Sequence, residues 1–145
     1  MIECQKIMEL IIKNYTNILY WIAMVGLLVW FAYTKGWILA NFESISAKQA
    51  YTLMENDDNV TLLDVRTIEE FKSHHIRYAQ LIPLGELENN LEKLASYKNK
   101  KILVYCQTGR RSVSASRILE NNGFTPLNIE GGIISMKHVG FEMVK

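Results

Sequence analysis

A chain of 145 residues with a formal net charge of +1 has room for about one core and no broad basic face, which argues against a second catalytic domain and against nucleic acid as a partner. Cys4 and Cys106 lie far apart, with no CxxC pair and no Cys/His ligand spacing, so neither a disulfide scaffold nor a metal site is expected. Cys4 sits in a tail with nothing around it to activate it, whereas Cys106 needs an explanation.

Charge is unevenly distributed. Between Lys13 and Lys35 run 21 residues without Asp, Glu, Lys, Arg or His, enough at roughly 1.5 Å per residue to cross a hydrocarbon core of about 30 Å. Tyr15, Tyr20, Trp21, Trp30, Tyr33 and Trp37 place several amphipathic rings toward the two ends, and lysines flank the run. Residues 14–37 are therefore expected to form one transmembrane helix behind a tail of residues 1–13. A buried soluble helix would carry a polar face, and residues 18–31 are interrupted only by Gly26. A cleaved signal peptide would open on a compact basic segment and close on small residues, but this chain opens with Glu3, Lys6, Glu9 and Lys13. Lys6 and Lys13 balance Lys35 and Lys48, so charge does not orient the span. An unpaired reactive thiol survives best in a reducing compartment, which favours a cytoplasmic face for the C-terminal part. Ala23 and Gly26 would let the span pack against a copy of itself.

Past the span, Ser44 or Ser46 can cap a helix through SAKQAYTLMEN, ended by the polar turn at 56–59. Residues 60–65, VTLLDV, read as a buried parallel strand, and Thr67 to Phe71 as a helix start. A further strand at 79–82 stops at Pro83, and Leu87, Leu91 and Leu94 mark a helix. Residues 101–105, KILVY, form a strand, a helix begins at Ser112 and ends near Gly123, and residues 124–129 form another strand. Gly131 and Gly132 make a turn before a short helix at 133–138. Strands alternating with helices predict an α/β domain with a mainly parallel sheet flanked by helices.

In such sheets ligands collect beyond the carboxyl ends of the strands, which is where Cys106 stands. The loop Cys106-Gln107-Thr108-Gly109-Arg110-Arg111 can turn its amides toward the sulfur, with the positive end of the next helix behind them. That arrangement favours a thiolate, and with it an anionic sulfur donor or a persulfide. Gly109 supplies the freedom in φ that the curl needs, while Arg110 and Arg111 add cations suited to sulfonate oxygens. A lone cysteine at a strand end is more often a small core residue, but a core cysteine has no use for a Gly-Arg-Arg loop.

The stretch CQTGRRSVSASRILENNGF followed by GGI, preceded by LLDVRTIEEFKSHHI and IPL, resembles a rhodanese domain over residues 43–145. The resemblance implies a sulfurtransferase that accepts a sulfane sulfur on Cys106 as a persulfide and passes it to a thiol, a protein, cyanide or another nucleophilic acceptor, with no cofactor. It implies that the amides of Gln107, Thr108, Gly109, Arg110 and Arg111 cradle the sulfur and that Arg111 is a basic position at the end of the loop. Asp64 and Arg66 fall in the upstream signature with a structural role, Arg66 within reach of Glu70 one turn on. His75 falls on the family's usual histidine and reads more simply as a loop-packing residue, and Ser112 follows the loop. Departures from the family pattern lie at His74, Arg77, Tyr78 and Met136, away from the loop. A related phosphatase or arsenate reductase would need a Cys-x5-Arg spacing, but here the sixth position is Ser112. A membrane-tethered docking module without activity is the remaining alternative, though its usual mark is loss of the cysteine.

Overall fold

The apolar runs of the C-terminal part lie side by side. In the computed structural model, which describes residues 2–35, 38 and 40–145, seven strands are numbered in chain order. β1 (Glu43–Ile45), β2 (Val60–Asp64), β4 (Gln80–Leu81), β5 (Lys101–Tyr105) and β6 (Thr125–Ile129) form a sheet in the order β1-β6-β5-β2-β4, each pair parallel. β3 (His75–Ile76) and β7 (Met143–Val144) make a separate antiparallel pair. Parallel neighbours must be joined by crossovers. The helices α2 (Ala47–Asn56), α3 (Ile68–Ser73), α4 (Leu84–Leu87) and α5 (Arg110–Asn121) lie along those connections, and α6 (Gly132–Val139) leads from β6 to β7.

Side chains alternate across the sheet with the two-residue period of a strand. Ile102, Val104 and Cys106 pack on one face with Ala115 and Leu119 of α5. Leu103 and Tyr105 point to the other, against Ala47 and Ala50 of α2 and Ile133 and Met136 of α6. Both faces are covered, which is why β5 is continuously apolar and buried from Ile102 to Tyr105.

Local signals set the helix starts. Ser46 and Gln49 form a reciprocal capping box on α2, and Thr67 and Glu70 form one on α3. Residues 87–94 differ from the single helix expected. The α-helix stops after Leu87, and 3₁₀ turns run over Glu88–Tyr97 with a kink at Asn90. The Asn90 amide donates to the Glu86 carbonyl at 2.8 Å, a side-chain bond that competes with the helix ladder. Leu91 and Leu94, three apart, still share a face in a helix of three residues per turn.

The N-terminal helix α1 (Ile2–Thr34) has 33 residues and is one candidate membrane span, with no residue of its apolar window buried. It begins well before the uncharged run, so the tail residues continue the same helix. Trp37 and Gly36, at the end of the expected span, lie outside the described residues.

Candidate functional site

Beyond the carboxyl end of β5 the chain curls at Gly109 (φ +95°) directly into α5. The helix begins at Arg110, two residues ahead of the expected Ser112, so Arg110 and Arg111 belong to its first turn. No side chain caps this end. Its first amides have no carbonyl partners within the helix and leave a positive end facing the loop.

Cys106 is 1% exposed. Its Sγ accepts a hydrogen bond from the Gly109 amide at 3.1 Å and lies 3.7 Å from Ser112 Oγ, to which the thiol can donate. Of the five amides expected around the sulfur, that of Gly109 reaches it. The backbone of Cys106 is held from the opposite side, where the first turn of α6 donates from Ile133 N to Cys106 O at 2.8 Å. That approach is close because Gly132 has no side chain. A Cβ there would stand 2.3 Å from Cys106 O and 2.8 Å from the carbonyl carbon of Gln107, at a φ of +59°.

Arg111 turns to Glu70 of α3 in a two-pronged ion pair at 2.7 and 2.8 Å. The Arg111 guanidinium holds the Glu70 carboxyl down to about 2, with help from the Thr67 amide, against a smaller opposing effect of burial. Glu70 in turn raises the Arg111 guanidinium. Arg110 is exposed and has no ion-pair or side-chain hydrogen-bond partner among the described residues.

Beneath the loop lies a fully buried pair. Arg66 meets Asp64 at 2.8 Å, donates to the His74 carbonyl at 2.7 Å and reaches Gln107 Oε1 at 3.3 Å. This corrects the expectation that Arg66 pairs with Glu70. The Asp64 carboxylate takes the Nε and Nη2 edge of the guanidinium at 2.8–3.0 Å, while Glu70, one helical turn away, is occupied by Arg111. Asp64 also accepts the Arg66 amide at 2.9 Å, so the two-residue turn closes on itself before Arg66 reaches toward the loop. Gln107 is thus anchored from below, whereas Thr108 is exposed. His75 stacks on Phe71 with centroids 3.7 Å apart, its Nδ1 hydrogen-bonded to the Phe71 carbonyl at 3.0 Å; it packs α3 against β3 away from the sulfur. Tyr105, at the strand end, accepts the Ile76 amide at 3.2 Å, and burial pushes its phenol strongly upward, keeping it neutral.

Two contributions escaped the sequence reading. Glu70 was read as a partner for Arg66, and its pairing with Arg111 depends on the fold. Gly132 was visible as a turn residue, and its closeness to Cys106 O was not. Among the described residues, no group of three or more His, Cys, Asp or Glu side chains could hold a metal ion.

A rhodanese-like domain family model matches residues 46–137. The chain is 35% identical over 85 residues to the putative sulfur carrier protein YrkF of Bacillus subtilis, covering 59% of this chain and 45% of that protein. It is 35% identical over 71 residues to the thiosulfate sulfurtransferase PspE of Escherichia coli, covering 49% of this chain and 68% of the other. A rhodanese-related protein from Thermoplasma volcanium superposes with a TM-score of 0.64 at 32% identity, over 71% of this chain and 98% of that one. The chain spans less than half the length of YrkF.

Proposed function

This chain belongs to the rhodanese-like domain family, and we propose that its residues 43–145 transfer sulfane sulfur through Cys106. The observation that carries the proposal is the Gly109 amide 3.1 Å from Cys106 Sγ, at the uncapped positive end of α5, where a thiolate or persulfide anion is stabilised. The Cys106 thiolate attacks the outer sulfur of thiosulfate or of a persulfide. A sulfur–sulfur bond forms on Cys106, the donor's own sulfur–sulfur bond breaks, and its electron pair leaves with sulfite or with the donor thiolate. An acceptor thiolate or cyanide then attacks the outer sulfur and returns Cys106 as thiolate.

The loop residues Gln107, Thr108, Gly109, Arg110 and Arg111 bind the donor, and Asp64, Arg66 and Ser112 support the loop from beneath. His75 packs the neighbouring turn. Residues 14–37 anchor the domain in a membrane behind the tail of residues 1–13, with the domain on the cytoplasmic side. Labelling of Cys106 by an impermeant thiol reagent in intact cells would reverse that orientation.

The test is the intact mass of the full chain after exposure to thiosulfate or a persulfide donor. Wild type gains one sulfur mass, a cyanide or thiol chase removes it, and Cys106→Ser gains none. No adduct from either donor on folded protein with a titratable Cys106 would refute sulfur transfer and leave a docking module.

A further inference from the structure

Arg110, Ser114 and Arg117 recur at i, i+4 and i+7 on α5 and so share one face. The last turn of α1 stands opposite them. Arg117 lies 3.8 Å over the Tyr33 ring and donates to the Tyr33 carbonyl at 2.6 Å, one of the four terminal carbonyls a helix leaves unpaired. Between the two helices opens a cleft of about 420 Å³ whose lining also takes in Thr34, Leu84, Thr108 and Arg111. Its walls contain three arginines and no carboxylate. Arg111 is answered by Glu70 from outside. Arg110 is unanswered among the described residues, and the Nε of Arg117 is buried without a hydrogen-bond partner.

We infer that this cleft is a subsite for the carboxylate-bearing tail of a small aliphatic thiol that exchanges sulfur with Cys106, an inference that rests on the sulfur-transfer reading. Two guanidiniums on one helix face, Arg110 without a partner among the described residues and Arg117 with an unpaired Nε, attract an anion and bind it by charge-assisted bonds. The Tyr33 ring and Leu84 offer apolar contact to the carbon chain. Arg117 lies about 10 Å along α5 from Arg110, and because Thr108, Arg110 and Arg111 of the Cys106 loop line the same cleft, a thiol held by its carboxylate at Arg117 is held beside that loop. At about 420 Å³ the cleft admits such a molecule together with water. The step balances without an added oxidant. The thiolate of the acceptor attacks the outer persulfide sulfur, a new sulfur–sulfur bond forms on the acceptor, the bond to Cys106 breaks, and the electron pair stays on Cys106.

The experiment uses the full chain in phosphatidylcholine nanodiscs. Charged with sulfur, wild type is compared with Arg117→Gln and Arg117→Lys in transfer to mercaptosuccinate and to 2-mercaptoethanol. The ratio of kcat/KM for the dianionic over the neutral thiol is expected to fall about tenfold in Arg117→Gln, through KM, and to be largely restored in Arg117→Lys. An equal effect on both thiols overturns the inference. Succinate, which has no thiol, is expected to slow iodoacetamide alkylation of Cys106 in wild type and not in Arg117→Gln. This arm needs no sulfur transfer, so it separates failure of the subsite from failure of the sulfur chemistry, and absence of protection overturns the subsite. Protection that disappears in discs of phosphatidylglycerol would give the cleft to a lipid headgroup and overturn its assignment to a thiol.

Discussion

Replacing Gly132 by alanine tests how tightly the loop is held. The added Cβ would stand 2.3 Å from Cys106 O, where ordinary contact begins near 3.4 Å, so the loop or α6 must move by about 1 Å. The two further contacts at 2.8 Å, to the carbon and oxygen of Gln107, are also backbone, and no flexible side-chain end can yield instead. The hydrogen bond from Ile133 N to Cys106 O opposes the movement. Overpacking of this kind costs about 1–3 kcal/mol, and the left-handed φ adds about 1 kcal/mol. A displacement of about 1 Å at reacting atoms can cost roughly a hundredfold in rate. Gly123→Ala is the control, because it carries a similar φ of +78° with open space around it and bears the conformational cost alone. Steady-state transfer from thiosulfate to cyanide and thermal unfolding are measured on both variants. Gly132→Ala should lose about a hundredfold in kcat/KM while Gly123→Ala stays near wild type with a modestly lowered Tm. Activity of Gly132→Ala within twofold of Gly123→Ala would refute the idea that α6 packs rigidly against the cysteine carbonyl.

Three further outcomes follow from the ion pairs and the sulfur contacts. Because Glu70 is depressed to about 2, its stabilising effect is complete above the usual carboxylate range near pH 4.5 and fades as pH falls toward 2. Glu70→Gln, which can keep the helix cap, should lower stability at pH 7 by about 1 kcal/mol after allowance for a pair that is about one-third exposed, and should flatten the acid limb of an unfolding-versus-pH curve; an unchanged limb contradicts this. Asp64→Ala strands the buried Arg66 charge and should cost about 3–5 kcal/mol in urea unfolding, with much of it recovered in the Asp64→Leu/Arg66→Met double variant; a single variant near wild type would mean the pair is not desolvated. Once Cys106 ionises, the Ser112 hydroxyl beside its Sγ can rotate to donate to the thiolate, so Ser112→Ala should slow alkylation of Cys106 about two- to tenfold at fixed pH, whereas an unchanged rate would take Ser112 out of the sulfur's environment.

What could be read before folding was written in short-range patterns. The apolar run of β5, the glycine after Cys106 and the following helix placed the cysteine at a strand-to-helix loop, because strand period and helix start are local properties. The helix starts near Ser44 or Ser46 and at Thr67 were legible for the same reason, while the reciprocal capping boxes that fix them at Ser46 and Thr67 came with the structure. The 3₁₀ turns after Leu87 were not, since apolar spacings of three and four do not separate two helix types when a side chain such as Asn90 intervenes. β1 and the β3–β7 pair were also missed, as strands of two or three residues carry too little pattern and exist through partners far along the chain. Tertiary structure decided which acid meets which base. Arg66 had two carboxylates within reach along the chain, and burial with Asp64, the His74 carbonyl and Gln107 selected one. Arg111 found Glu70 across 41 residues, and Arg117 found Tyr33 across 84. Such pairings depend on how α1, α3 and α5 are set around the sheet, which no local period encodes. The place of Cys106 at the end of β5 was therefore determined by sequence, while the shape and charge of the space in front of it were determined by packing.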